Sequence, residues 1–321
     1  MVSGFYIIME DMDISIIVPA YNSEKYLERC IDSIEMALKK YSGKGEIILV
    51  DNGSTDKSFS IMQKRSEKQS KLIKIDRCTT KGAAAVRNYG AKKARGEFIW
   101  FIDADDTIRE DAVLKLMKTA KDTKADLVML GVERVYQDGH TDYLSAVCPK
   151  QPNYRSRFVR YGVGPFQLLI RRAWWEKHGF EFREGRIHED MELLSALVLY
   201  TDSFACVDEP LYSYYQNPES VLHKSKWDPH YFDIFPALEG LYERFEQMGA
   251  AKNYHDELEW FFIWNLLIDS AKDFGKFKEG KAGFGRTRKM LKQYFPKWRR
   301  NRFLRQKPLK LQLLVRINYH K

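Results

Sequence analysis

Close-spaced cysteines are missing from this sequence. The four present, Cys30, Cys78, Cys148 and Cys206, stand far apart, which excludes the paired spacings of zinc and redox motifs and fits a reducing cytosol. Long apolar runs are missing too. Residues 5–9 are briefly apolar with acidic residues behind them, too short and wrongly flanked for a secretory leader. The most apolar later stretch, 260–268, falls well short of the roughly 20 residues that span a bilayer. There is no low-complexity linker and no internal repeat. Acid is scarce in one place: residues 276–321 hold 16 Lys and Arg against the single Glu279, a net +15 within a total of +9, so the rest of the chain carries −6. Phe277, Phe284, Tyr294, Phe295, Trp298, Phe303 and the run 309–315 are interleaved with that charge. Basic residues mixed with aromatic and aliphatic ones suit an anionic membrane surface; nucleic acid shares the electrostatics but is not the expected partner.

What is present is ordinary globular composition, 44% apolar and 30% charged over 321 residues, enough for one large domain or two modest ones. From residue 14 to about 130, short β-branched runs alternate with longer amphipathic stretches, the pattern of α/β units around a mainly parallel sheet. Strands are expected at 14–18, 46–50, 72–75 and 98–102. Helical spacing follows the first, a second helix runs from a cap at Ser54, Thr55 or Asp56 to about Glu67, and Gly82 opens a small-residue helix. Asp138-Gly139 reads as the turn of a hairpin between 132–136 and 143–147. Helices are expected at 171–178 and 189–200, extended segments at 204–207 and 212–215, and helix almost throughout from about 228. The domain boundary falls near Lys226, giving an α/β catalytic domain over 1–225 and a helical, basic region over 226–321.

Three polar loops follow strand ends, where α/β sheets bind ligands. Pro19-Ala20-Tyr21-Asn22 ends the first strand, Asp51-Asn52-Gly53-Ser54-Thr55-Asp56 the second, and Asp103-Ala104-Asp105-Asp106 the fourth. Three carboxylates within four residues repel one another, and a divalent cation relieves that; Mg²⁺ and Mn²⁺ favour such oxygen ligands. The same acids also suit the N-terminus of a following helix. Asp51 is placed either to accept hydrogen bonds from a base or ribose or simply to form a turn, and Asp56 reads as a helix cap. Lys81-Gly82 and Arg87-Asn88 offer cations near the same edge or solvated charge.

Taken in order, the motifs at 16–22, 50–56, 85–90 (Ala-Val-Arg-Asn-Tyr-Gly) and 103–106 resemble those of family 2 glycosyltransferases with the GT-A fold, over roughly residues 13–215. The resemblance is greatest to bacterial members that build capsular, exopolysaccharide or lipopolysaccharide chains. It implies a Rossmann-like, mainly parallel sheet with flanking helices, followed here by a mostly helical C-terminal region. It also implies inverting transfer of a sugar from a nucleotide-sugar, expected to be UDP-linked, to a hydroxyl of a glycan or lipid-linked acceptor. Carried over by position, Pro19, Tyr21, Asn22, Asp51, Arg87 and Asp103 hold the donor nucleotide and Asp105 the Mn²⁺ or Mg²⁺. In Gly185-Arg186-Ile187-His188-Glu189-Asp190, Asp190 becomes the base that takes the acceptor proton, with Glu189 as a further candidate. His188 and Glu189 also suit a plain helix start.

Two departures bear on the site. Pro210-Leu211-Tyr212-Ser213-Tyr214-Tyr215 runs into Gln216-Asn217 without the arginine that related chains place there; His223 or Lys224 could stand in, His223 as a metal ligand. Residues 164–169 lack the Trp and Lys common at the acceptor-side turn. The expected enzyme is cytoplasmic and peripheral at the inner face of the cell membrane. Competing readings are a sugar nucleotidyltransferase, disfavoured because Tyr21-Asn22-Ser23 is not a Gly-rich, Arg-containing loop, and a catalytically idle membrane-surface or nucleic-acid-binding module, disfavoured because Asp51, Asp103, Asp105 and Asp190 are all carboxylates.

Overall fold

The computed structural model describes residues 12–217 and 227–321. The apolar stretch 5–9, the boundary near Lys226, and His223 and Lys224 lie outside the described residues. The alternation read from the sequence is realised as β1 (Met12–Ala20), α1 (Leu27–Tyr41), β2 (Gly45–Asp51), α2 (Ser58–Lys68), β3 (Ile73–Arg77), α3 (Ala83–Lys93) and β4 (Gly96–Phe101). Strands β3, β2, β1 and β4 lie side by side and all parallel. Their carboxyl ends, Asp51 and Ala20 among them, therefore share one edge. On one face α1 buries Leu27, Cys30, Ile31, Ile34 and Leu38 at helical spacing. On the other, α3 buries small residues. A Cβ on Gly90 would lie 2.4 Å from the Ile17 side chain. The bare glycine thus lets α3 settle against β1, carrying Arg87 and Asn88 into the interior at 6% and 5% exposure.

The second half of the sheet is mixed. After the short β5 (Thr107–Ile108) and α4 (Ala112–Thr123) come β6 (Leu127–Val135) and β7 (Thr141–Leu144), the expected hairpin, then α5 (Tyr154–Tyr161), β8 (Leu168–Arg171), α6 (Arg172–Lys177), α7 (Glu189–Leu194) and β9 (Phe204–Tyr215). The order continues from β4 through antiparallel β8 to β6, β9 and β5, with β7 on β6. The two extended segments expected around 204–215 are one strand. Pro210 survives inside it because the register against β6 slips at Gly131, which faces Pro210. A Cβ on Gly131 would meet Glu209 O at 2.6 Å. The helix expected over 189–200 is α-helical only to Leu194 and then tightens into a 3₁₀ turn over Leu197–Leu199, where Leu194, Ala196, Leu197 and Val198 are all fully buried.

The cysteine reading needs correction. Cys148 and Cys206 form a disulfide, with Cα atoms 5.2 Å apart across 58 residues of sequence; separation along the chain does not bar contact in space. Cysteine usage therefore gives no support to a reducing compartment.

From residue 229 the chain is helical: α8 (Ile234–Gln247), α9 (His255–Trp264), α10 (Ser270–Lys276), α11 (Ala282–Tyr294), α12 (Arg302–Arg305) and α13 (Leu309–His320). Their aromatics build a third core that takes in Val159 of α5 and Ala196. Phe262 meets Phe295 edge-on at 4.9 Å, and Trp298, 1% exposed, packs on Tyr319 at 5.1 Å. Phe284, Phe295 and Trp298, which the sequence offered as membrane-facing aromatics, are thus interior residues. The exposed apolar side chains of the tail lie on α13. Among the described residues, no helix is long and apolar enough to cross a membrane.

Candidate active site

The loops after β1 and β2 are stitched into one unit. Asn22, in the left-handed region at φ 48°, donates its N–H to Ser54 Oγ at 3.0 Å, and its Oδ1 accepts from Thr55 N at 2.8 Å. Asp51 is fully buried and accepts from Gly53 N and Ser54 N at 3.2 and 3.1 Å, with Arg77 Nε 3.5 Å away. Asp51 therefore shapes the turn; Asp56, expected as the helix cap, lies one residue before the N-cap Lys57 and bridges the loops by accepting from Ser58 N and Glu24 N. Asn52 anchors the segment before α3 by donating to Cys78 O and Thr80 O and accepting from Gly82 N. That anchor holds Lys81, whose Nζ donates to Asn52 O at 2.9 Å and stands 5.5 Å from the Tyr21 ring. Tyr21, 56% exposed, presents an open aromatic face beside a cation at the sheet edge; Pro19 is part-buried in β1 beneath it.

The three acids after β4 have separate surroundings. Asp106 is fully buried, accepts from Tyr212 Oη at 2.5 Å and Tyr215 N at 2.8 Å, and has its pKa pushed up to about 9 by burial and then by Asp103 and Asp105. It is a structural carboxyl that ties the acidic turn to β9. Asp105 is raised by burial and then by Asp103, with a hydrogen bond from Asn217 opposing. Asp103 and Asp105 are the part-exposed pair. Burial and the neighbouring Asp103 carboxylate disfavour Asp105 as an anion, and the paired oxygen donors of Asp103 and Asp105 fit a hard divalent cation such as Mn²⁺ or Mg²⁺.

Arg87 organises the centre. It donates through Nη2 to Asp103 Oδ1 at 3.0 Å and through Nη1 to Glu189 Oε1 at 2.6 Å. Burial opposes its charge, but Asp103, Glu189 and Asp190 outweigh that and hold its pKa above the ordinary arginine range. Asn88, one residue on, clamps Phe182 N and O, fixing the loop before α7 against α3. His188 enters α7 with φ 65°, and burial keeps its pKa low. Glu189 is committed to Arg87. Asp190 accepts only from Met191 N among the described hydrogen bonds, and burial, then the Glu189 carboxylate, push its pKa up to about 7 while Arg87 opposes. A carboxylate poised near neutrality is the electrostatic setting of a general base.

The structure thus brings Arg87, Asp103 and Glu189 into direct contact and sets Asp190 within reach of Arg87's charge. Asp51 and Asn22 are held in a separate loop unit on the same edge. Sequence reasoning missed Arg29 of α1, whose Nη2 donates to Asp105 O at 2.7 Å and whose guanidinium stacks 3.7 Å from the Tyr215 ring; it supplies a cation beside the acidic turn where the arginine after β9 is wanting. It also missed Asp233, from the helical region, which accepts from Ile187 N at 3.1 Å and contacts His230 Nδ1 at 2.7 Å. The run of tyrosines after Pro210 was the available signal for Asp106; nothing in the spacing marks Arg29 or Asp233.

Comparison with known proteins bears on family and fold. The family described as Glycosyl transferase family 2 matches residues 15–178. The uncharacterized glycosyltransferase EpsJ of Bacillus subtilis is 29% identical over 255 residues, covering 74% of this chain and 72% of EpsJ. Among solved structures, TarS of S. aureus (residues 1–349, in complex with UDP-GlcNAc) superposes with a TM-score of 0.76 at 20% identity, over 96% of this chain and 88% of that one. The mannosyltransferase PcManGT of Pyrobaculum calidifontis, in complex with GDP-Man and Mn²⁺, superposes with a TM-score of 0.53 at 16% identity, over 97% and 88%. At these identities the structural likeness speaks to the GT-A fold.

Proposed function

Since the chain belongs to glycosyl transferase family 2 and is a glycosyltransferase, we propose that it transfers a sugar with inversion from a UDP-linked donor to a hydroxyl of a glycan or lipid-linked acceptor in bacterial surface polysaccharide synthesis. The observation that carries this reading is the Arg87 bridge, in which one buried guanidinium joins Asp103 on the donor side to Glu189 beside Asp190. The UDP-GlcNAc in TarS supports the choice of nucleotide, and the bacterial polysaccharide enzymes whose motifs the sequence resembles support the acceptor class.

In this mechanism Tyr21 and Lys81 cover the base, the Asn22–Asp51 loop unit receives the nucleoside, and Asp103 lies along the ribose and diphosphate. Asp103 and Asp105 would hold Mn²⁺ or Mg²⁺, which supplies charge to the departing diphosphate. Arg29 adds a further cation at the same turn. The acceptor oxygen attacks the anomeric carbon from the face opposite the diphosphate, and its proton passes to the Asp190 carboxylate. As that C–O bond forms, the bond from the anomeric carbon to the phosphate oxygen breaks, and the electron pair leaves with the nucleoside diphosphate. Glu189, bonded through Oε1 to Arg87, positions Arg87 and raises the basicity of its neighbour.

The test is a panel of nucleotide-sugars assayed for metal-dependent release of nucleoside diphosphate. Release from at least one UDP-sugar with Mn²⁺ or Mg²⁺, and none with chelator, is expected. Equal release with chelator would remove the metal, and a donor of another nucleotide class would remove UDP.

We assign sugar transfer to residues 1–225 and contact with an anionic membrane face to residues 226–321. The helix α13 supports the second assignment. Leu309, Leu313, Leu314 and Ile317 are 75%, 56%, 42% and 57% exposed, while Val315, Asn318 and Tyr319 turn inward. Lys310, Arg316 and Lys321 are exposed around that stripe. An apolar ridge bordered by cations complements the anionic cytoplasmic leaflet, so the enzyme would lie peripherally on it.

A further inference from the structure

An open cleft of about 800 Å³ separates α5 from the starts of α9 and α12, and Arg155, Arg157, Arg160 and Arg302 line it against one carboxylate, Glu257. It is remote from the transfer site. Arg155 reaches Thr201 O and Asp202 beside the start of β9, whereas Asp103 and Asp106 lie at the opposite ends of the strands, with Tyr212 and Tyr215 near the end of β9. Two of the four cations are matched: Arg155 pairs with Asp202 at 2.5 Å, and Arg302 with Asp256 and Glu257 at 3.0 and 2.8 Å. Among the described residues Arg157 and Arg160 have no carboxylate partner. Arg160 stacks 3.9 Å over Phe303 and spends its Nε on Ser156 O. Burial lowers its pKa, and Arg157 and Arg302 push the same way against Glu257.

Gathering cations and partly desolvating one of them is unfavourable without an anion to answer them. The N-terminal turn of α5 faces the same cleft with no acidic residue and no side-chain cap, so its free N–H groups add to the positive potential. The polar wall is also unfinished. Glu257, 2% exposed, accepts from Ser156 Oγ at 2.6 Å through Oε1, while its Oε2 and the Arg155 Nε are buried without hydrogen-bond partners. An unmatched acceptor beside unmatched guanidinia asks for a ligand that brings both an anion and a donor.

We propose that this cleft binds a phosphate ester that carries free hydroxyls, its phosphate on Arg157 and Arg160 and a hydroxyl donating to Glu257. Such a group occurs in a soluble polyol phosphate and in a glycerol-phosphate lipid headgroup, and the chemistry is shared. This site goes beyond the transfer reading and is tested by binding alone, so either can fail without the other.

The experiment titrates the full chain, at low salt, with sn-glycerol 3-phosphate and separately with phosphatidylglycerol vesicles, for the parent, Arg157→Glu and Arg160→Gln, with Leu313→Asp and Ile317→Asp added to every chain in the vesicle arm so that the α13 ridge does not contribute. Arg157 is exposed, so its variant tests the charge without disturbing the core, and an unchanged melting temperature verifies this. Glycerol phosphate binding that weakens about 10-fold or more in both variants is expected from loss of charge-assisted contacts, and identifies a soluble ester. Binding to vesicles alone, lost in the same variants, identifies a headgroup. Absence of binding to both, or binding that Arg157→Glu leaves unchanged, overturns the proposal.

Discussion

Asp190 illustrates how a single carboxyl can serve catalysis at the expense of the fold. Its pKa is raised from 3.8 to about 7, so the folded state holds the proton more tightly than the unfolded chain. The stability this brings is complete below about pH 4 and is lost as pH rises through 7. Asp190→Asn, nearly isosteric and always neutral, should therefore melt higher than the parent at pH 8, by roughly 1–3 kcal/mol of stability, with the two converging at pH 4. The same substitution should reduce transfer by about 10²- to 10⁴-fold, and parental turnover should fall as pH drops below 7. Near-parental turnover in the variant would make another group the base. Asp105 makes the complementary case: Asp105→Ala should abolish metal-dependent donor binding and turnover together, and calorimetry with and without Mn²⁺ reads both. Unchanged metal-dependent affinity would take Asp105 out of the site. At this scale the sequence marked a cluster of acids but could not rank them, because burial divides Asp103, Asp105 and Asp106 into two candidate ligands and one structural carboxyl, and burial is a property of the partners, Tyr212 above all.

The elements were the most legible level where local pattern governs and the least where distant segments meet. The strands β1, β2 and β4 announce themselves because burial on both faces leaves continuous apolar runs, and α3 because small residues follow Gly82. The union of 204–207 with 212–215 into β9 was hidden, since Pro210 reads as a break and only the slip opposite Gly131 absorbs it. The Cys148–Cys206 link was hidden for the same reason: it depends on β9 passing the segment after β7. That link closes a loop of 58 residues, for which chain entropy predicts a contribution of about 4 kcal/mol. Cys148→Ser should accordingly lower the melting temperature under oxidising conditions and match the reduced parent. Equal melting of parent and variant before reduction, with four titratable thiols in the parent, would show that the bridge does not form.

For the whole molecule, the charge division seen in the sequence acquires a shape. The basic tail is not a loose anchor: its aromatics fill a core shared with α5 and the segment after α7, and its exposed ridge is confined to α13. Binding to anionic vesicles should therefore survive Trp298→Phe, which leaves the surface untouched, and be strongly weakened in the pair Leu313→Asp and Ile317→Asp, while donor binding persists. Added salt should weaken it, since basic residues near such a surface contribute around 1 kcal/mol each. Vesicle binding unaffected by the pair, or absent in the parent at low salt, would assign α13 another partner.

The Arg87 bridge has a consequence for how the molecule can change over time. Its three members come from α3, the turn after β4 and the start of α7, and Arg87 and Glu189, both buried, would each be left as an unanswered charge without the other. Replacing any one should be costly, whereas removing two together should cost less than the sum. Glu189→Gln should hence be milder in an Arg87→Gln background than in the parent. The trio thus acts as a lock, and a sequence change that keeps stability must exchange its coupled parts together rather than one at a time.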